Sequence, residues 1–170
     1  MQKKQIKKVI KRLLSKKITV TTVILLLIMV GIYTYQANKP LDSTIVSLIS
    51  CVDGDTAHFS VNGIDETVRF LVVDTPEISG TPEEYGMEAS HYTCNALRGS
   101  EEIKLEFEND LRDKHERLLA WVWLDGKLLQ ESLVEEGLAS VKYVYGEYKY
   151  TNLLYETQDL AQSNHIGMWE

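Results

Sequence analysis

Two short stretches of this chain carry side chains whose types and spacing could do chemistry: Asp53-Gly54-Asp55-Thr56, and Arg69 followed by Phe70-Leu71-Val72-Val73-Asp74-Thr75-Pro76-Glu77. A third, Asp113-Lys114-His115-Glu116-Arg117, comes later. Together they offer carboxylates for a hard cation, a further carboxylate, Glu77, for a proton, and two arginines, Arg69 and Arg117, for a phosphate. That is the inventory of a metal-assisted phosphodiesterase.

Each piece alone has a plainer reading. Aspartates flank glycine in many turns that bind nothing. Glu77 by itself is a surface glutamate, and each arginine by itself is a rim salt bridge. Asp74 shifts the balance, because it ends an apolar run and a carboxylate at a buried strand end needs a partner. Thr75-Pro76 then turns the chain out of the sheet and frees the Thr75 carbonyl. Two carboxylates, a carbonyl and water suit Ca²⁺ better than a transition metal, and no His or Cys cluster has zinc spacing. Glu77 could ligate directly or act as a base through water. Arg69 could fork onto a phosphate. A straight strand would hold the α-carbons of Arg69 and Asp74 roughly 16 Å apart. The strand must therefore coil or bulge if the two are to share a site.

The elements that must position these groups read as follows. Residues 43–52 are β-rich. Residues 56–61 form a strand that meets Asn62-Gly63, a type I′ hairpin signal, and 64–73 return as its partner. Tyr85 opens a helix with Tyr85, Ala89, Tyr92 and Ala96 as its buried stripe. Ile103, Leu105 and Phe107 alternate with charges as a half-buried strand. Residues 109–116 are a charged loop, Arg117 begins a strand, and 118–124 continue it to a turn at Asp125-Gly126. Residues 128–136 are a short helix with Gly137 as its left-handed cap. Residues 143–150 are an aromatic loop, and 152–163 a last helix. Five strands and three packed helices fit an OB-type barrel over 43–170.

The chain has 170 residues, with 18 Lys and Arg against 25 Asp and Glu. Eight of the cations fall in residues 1–17, a basic head without an acid, so the remainder has a net charge of −15. An anionic partner would be repelled by that average field. Residues 18–38 carry no charge, and at helical rise they would span about 30 Å, one bilayer core. The flanking charges predict a cytoplasmic N-terminus and an external domain, joined by a linker at 39–42. Cleavage of this segment, giving a secreted domain, is the alternative. Cys51 and Cys94 are then exported, either bridged or as two separate buried thiols.

The residues now on the page resemble the thermonuclease family of staphylococcal-nuclease-like domains. The likeness runs from about Val46 to Trp169. It takes in the Asp53–Thr56 turn, Arg69 through Glu77, Tyr85-Gly86-Met87-Glu88-Ala89-Ser90, Arg117, Gly137-Leu138-Ala139, Tyr143-Val144-Tyr145 and Gly167-Met168-Trp169. The resemblance implies an OB-type barrel and Ca²⁺-dependent endonuclease action on DNA and RNA, leaving 3′-phosphates. It implies that Asp55, Asp74 and the Thr75 carbonyl hold Ca²⁺, with Asp53 behind them. It implies that Glu77 orders or deprotonates the attacking water, that Arg69 and Arg117 clamp the phosphate, and that Tyr143 and Tyr145 contact the nucleotide. The family's Lys-Tyr-Gly-Arg is here Lys114-His115-Glu116-Arg117, so Lys114 and His115 are the substrate contacts expected of that loop. The sequence thus favours a membrane-anchored external endonuclease. A barrel of the same fold that only binds nucleic acid, and a phosphodiesterase for small nucleotides, are the rivals.

Overall fold

The computed structural model describes Lys7 and residues 21–30, 42–108 and 111–170. The chain divides into two units, Met1–Pro40 and Leu41–Glu170. In the first, residues 21–30 are helical and their apolar side chains are exposed. No helix among the described residues is long and apolar enough to cross a membrane. The rest of the expected 18–38 span, and the basic head apart from Lys7, lie outside the described residues.

The second unit is built on six strands: β1 (Ser43–Cys51), β2 (Thr56–Val61), β3 (Ile64–Phe70), β4 (Val73–Asp74), β5 (Ile103–Glu106) and β6 (Leu118–Leu124), with the short β7 (Lys127–Leu128) and β8 (Ser140–Val141) after them. β1 pairs antiparallel with β2 through its second half and with β5 through its first. A register shift between Leu48 and Ser50 bends it so that one strand serves both partners. β2 pairs with β3, β5 with β6, and a parallel β3–β6 ladder closes five strands into a barrel. Asn62 and Gly63 both take positive φ, 53° and 83°, as a type I′ hairpin requires. Alternation along the strands sends Ala57, Phe59, Val68, Phe70, Leu105, Ala120 and Val122 into a sealed interior.

Three helices follow: α1 (Gly86–Gly99) and α2 (Leu129–Glu135) pack on the barrel, and α3 (Thr151–Ser163) packs on α2 and β8. Several expectations are corrected here. The returning strand does not run through residue 73. It stops at Phe70, Val72 turns left-handed at φ 66°, and β4 restarts at Val73 to pair with β8. Tyr85 precedes its helix in a left-handed conformation; Tyr85, Tyr92 and Ala96 pack half-buried against the core, and the fully buried stripe is Gly86, Ala89, Thr93 and Leu97. Apolar spacing missed this rotation because two of its positions are a glycine and a threonine. Asp125-Gly126 does not simply end a strand but joins β6 to β7. Arg117 stands just before β6, after Glu116 at φ 63°.

Candidate active site

The Asp53–Asp55 turn is held from three sides. Cys51, at the end of β1, is bridged to Cys94 on α1, with 5.7 Å between α-carbons. The neighbouring Thr93 hydroxyl donates to the Gly54 carbonyl at 2.6 Å. Gly54 lies so close to Thr75 that a Cβ there would come within 2.7 Å of its hydroxyl oxygen. The Asp55 N–H donates to Asp53 Oδ1 at 3.0 Å, which closes the turn. Asp55 therefore points inward and is only 6% exposed.

The break at Val72 solves the spacing problem posed by a straight strand. It folds β4 back, so that Arg69 Nη2 reaches Asp74 Oδ1 at 3.0 Å and Asp55 Oδ2 at 3.0 Å. Arg69 Nη1 donates to the carbonyls of Phe70 and Val73, at 3.0 and 2.7 Å. One guanidinium thus fixes both carboxylates and the backbone between them. The Thr75 side chain turns to Asp55 and not into the cleft. Its N–H and hydroxyl both donate to Asp55 Oδ2, at 2.9 and 3.2 Å, and Thr56 donates to Oδ1. Burial pushes the Asp55 carboxyl up to about 6. Arg69 pulls the other way, the charge of Asp53 adds to the rise, and the bonds from Thr75 and Thr56 oppose it.

These groups open on a cleft of about 510 Å³. Asp53, Asp55, Arg69, Asp74, Glu77, Lys114, His115, Arg117, Tyr143 and Tyr145 all line it, so every side chain singled out in the sequence except Thr75 faces one space. Glu77 is exposed, and its N–H donates to Glu83 Oε2 at 2.9 Å. The Glu83 N–H bonds back to the Glu77 carbonyl at 2.8 Å, which makes the loop after Glu77 compact. Arg117 is bound by Asp113: Nε and Nη2 contact Oδ2 at 2.8 and 2.7 Å, and Asp113 Oδ1 accepts the backbone N–H groups of His115 and Arg117. Burial tends to raise the Asp113 carboxyl, but these bonds outweigh it and hold it below its ordinary value.

Three groups in or beside the cleft have no role in the sequence reading. Arg112 makes a two-bond fork with Glu66 on β3, at 2.9 and 2.7 Å, and donates to the Glu116 carbonyl. Asp113 heads the third stretch in the sequence, and its part there is to hold Arg117. Lys142 Nζ bonds Asp74 Oδ2 at 2.8 Å. The only local signal was proximity, Arg112 to Arg117 and Lys142 to Tyr143, since the pairings that give them meaning cross 46 and 68 residues.

The donor set fits a hard divalent cation. Asp55 and Asp74 offer carboxylate oxygen, and the high pKa of Asp55 marks a buried charge that a second positive group would relieve. Among the described residues no three His, Cys, Asp or Glu gather closely enough to hold an ion with side chains alone. Backbone oxygen or water must complete any coordination.

A family model, the staphylococcal nuclease homologue, matches residues 67–170. The chain belongs to the staphylococcal nuclease homologue family. It is 42% identical over 129 residues to the SPbeta prophage-derived endonuclease YokF of Bacillus subtilis (strain 168), covering 73% of this chain and 43% of that protein. It is 42% identical over 129 residues to endonuclease YncB of the same organism, covering 73% and 61%. It is 38% identical over 122 residues to the thermonuclease of Staphylococcus intermedius, covering 70% and 72%. The chain thus spans less than two thirds of the two Bacillus relatives. The barrel with packed helices is the OB-type fold of the staphylococcal nuclease homologues. The family match starts inside β3, after the Asp53–Asp55 turn, and Arg69, Thr75 and Thr93 of the matched part all bond that turn.

Proposed function

We propose that this chain is a Ca²⁺-dependent endonuclease that hydrolyses phosphodiester bonds of DNA and RNA and leaves 3′-phosphates. The observation that carries this reading is the single cleft that gathers Asp55, Asp74, Arg69, Glu77 and Arg117. It is supported by relatives that are named endonuclease and thermonuclease. Held by Asp55, Asp74 and the Thr75 carbonyl, a Ca²⁺ ion would act as a Lewis acid toward a phosphate oxygen.

The residues supply the rest. Asp53 orders the turn from behind. Glu77, exposed on a compact loop, positions water or takes its proton as it attacks phosphorus in line with the departing 5′-oxygen. Arg117 keeps Nη1 outside its Asp113 contacts, available to an equatorial phosphate oxygen. Arg69 holds the carboxylates in register and presents its charge to the same phosphate as negative charge builds. Tyr143 and Tyr145 lie 6.3 Å apart, ring to ring, on the open side, where bases can stack. Lys114 and His115 line the same cleft and would meet the adjoining backbone.

The negative field of the domain is answered locally. Of its nine Lys and Arg, Arg69, Arg112, Lys114 and Arg117 line the cleft, and Lys142 pairs with Asp74 at its edge. We further propose that residues 18–38 anchor the chain in the cell membrane, with residues 1–17 inside and the barrel outside. The apolar, charge-free run and the basic head support this. Release by cleavage after this segment would leave the same barrel secreted.

One observation favours the rival, a module that binds without cleaving: Arg69, Arg112 and Arg117 are each paired with a carboxylate. The test is cleavage of DNA and of RNA by the purified chain in millimolar Ca²⁺ against a chelated control, with end-labelling of the products. Cleavage that leaves 3′-phosphates is expected. Products no more abundant than in the chelated control overturn the proposal, and retention of nucleic acid without cleavage would favour the binding module.

A further inference from the structure

Asp74 presents two oxygens to two different cations. Oδ1 is held by Arg69 and Oδ2 by Lys142. The backbone enforces the second contact. β4 and β8 pair Val73 with Val141 and Asp74 with Ser140, and the Lys142 N–H donates to the Val72 carbonyl at 2.8 Å. Lys142 is therefore set beside Asp74 before its side chain chooses a rotamer.

The two cations differ in how readily they can leave. Arg69 is buried and also holds two carbonyls, so moving it would orphan groups that water does not reach. The Lys142 side chain is 56% exposed, and its ammonium can return to water at little cost. In the same position the ammonium also lies 5.5 Å from the centre of the exposed Tyr143 ring. The Asp55 oxygens are engaged by buried threonines and Arg69. Asp74 Oδ2 is thus the carboxylate oxygen most easily vacated.

We propose that Lys142 is a tethered competitor for the cation site: it occupies the oxygen a divalent ion must take, and its departure sets the affinity of this chain for that ion. The proposal rests on the Ca²⁺ reading of the cleft. Binding becomes an exchange, one divalent ion in and one ammonium out, with Arg69 unmoved.

The test is calorimetric Ca²⁺ titration of the metal-stripped full chain, without substrate, at fixed ionic strength. Lys142→Met should tighten binding roughly five- to ten-fold, because a competing cation and its repulsion are both removed. Lys142→Arg should stay near the parent. Lys114→Met removes a cleft cation that makes no described contact with Asp55 or Asp74, and should tighten binding less than about two-fold. A second readout needs no substitution: the Lys142 Nζ resonance of the parent chain should shift in step with Ca²⁺ saturation. Equal affinities for the parent and Lys142→Met, equal tightening by the Lys114 and Lys142 variants, or an unmoved Nζ resonance overturns the proposal and leaves the Ca²⁺ reading standing. No binding by any of the proteins overturns both.

Discussion

Arg69 is the residue on which the site turns, because one planar head meets Asp55, Asp74 and two carbonyls at once. A lysine carries the charge but cannot present parallel donors in that fork. Arg69→Lys should therefore lower kcat/KM at least about a hundred-fold and cost about 3 kcal/mol of stability, since a buried carboxylate pair loses its shared partner. Steady-state rates and thermal melts check both, and near-parental values in each would reduce Arg69 to a replaceable charge. Asp55 behaves in the opposite sense. Its folded-state pKa, about 6, exceeds the free value of 3.8. The stability it contributes is complete below pH 4 and is lost as pH rises through 6. At pH 8 without metal the fold carries a charge it disfavours. Asp55→Asn should thus raise the melting temperature in chelator at pH 8, erase most of the stabilisation by Ca²⁺, and abolish cleavage. A variant that melts below the parent at pH 8 in chelator would reverse this sign. The two aspartates and two arginines were legible because their types are rare together in turns and at strand ends. The roles of Thr75 and Glu83 were not. Thr75 acts on Asp55 through N–H and hydroxyl groups, and Glu83 folds back on the Glu77 backbone.

At the scale of elements, alternation and turn residues revealed the strands and hairpin of the barrel, and the glycine after α2 marked its end. What stayed hidden depends on partners distant in sequence. Val72 in a left-handed conformation has no local signature, since a β-branched residue favours the extended form the strand had been expected to keep. The two-residue strands β4 and β8 are too short to show a period, yet they carry Asp74 to Lys142. The loop at 111–117 is likewise set from outside. Its Arg112 is forked to Glu66 on β3, so the loop that presents Arg117 is tied to the strand that carries Arg69. Glu66→Gln should loosen that tie and reduce kcat several-fold with little change in melting temperature, because the pair is near the surface. Restoring the fork as Glu66→Asp should recover less than the parent, and a kcat unchanged in both variants would make the tie irrelevant. The Cys51–Cys94 bridge links β1 to α1 across a separation of 43 residues. Its reduction should lower stability by about 4 kcal/mol in the chain-entropy description. Because the bridge ends two residues before Asp53, reduction should also weaken Ca²⁺ binding. Denaturant titrations with and without reductant measure the first effect, and calorimetry the second.

For the whole molecule, charge and topology decide more than any contact. The chain beyond residue 17 carries −15, while the cations of the cleft are few and mostly paired with carboxylates. Nucleic acid should therefore be held by a small number of phosphate contacts. With about three, the slope of log affinity against log salt should be no steeper than about −3 on duplex DNA. Michaelis constants measured across a salt series test this, and a slope of twice that size would demand phosphate contacts beyond the cleft cations. The closure of the barrel has a consequence in time. β3 meets β6 in parallel, and that ladder joins Val68–Phe70 to Leu118–Ala120, about fifty residues downstream. During synthesis the Asp53 turn, Arg69 and Asp74 emerge early, but nothing closes the barrel over Phe70 until β6 has been made. β8, which seats Asp74, comes later still. Pairings of such long sequence separation form late and slowly. An unfinished chain therefore lacks the closed barrel and the β4–β8 pair that fix Arg69 and Asp74, and the proposed chemistry should begin only when the last strands arrive. The proposed nuclease activity would thus be withheld from the cell by the order of the chain's own translation.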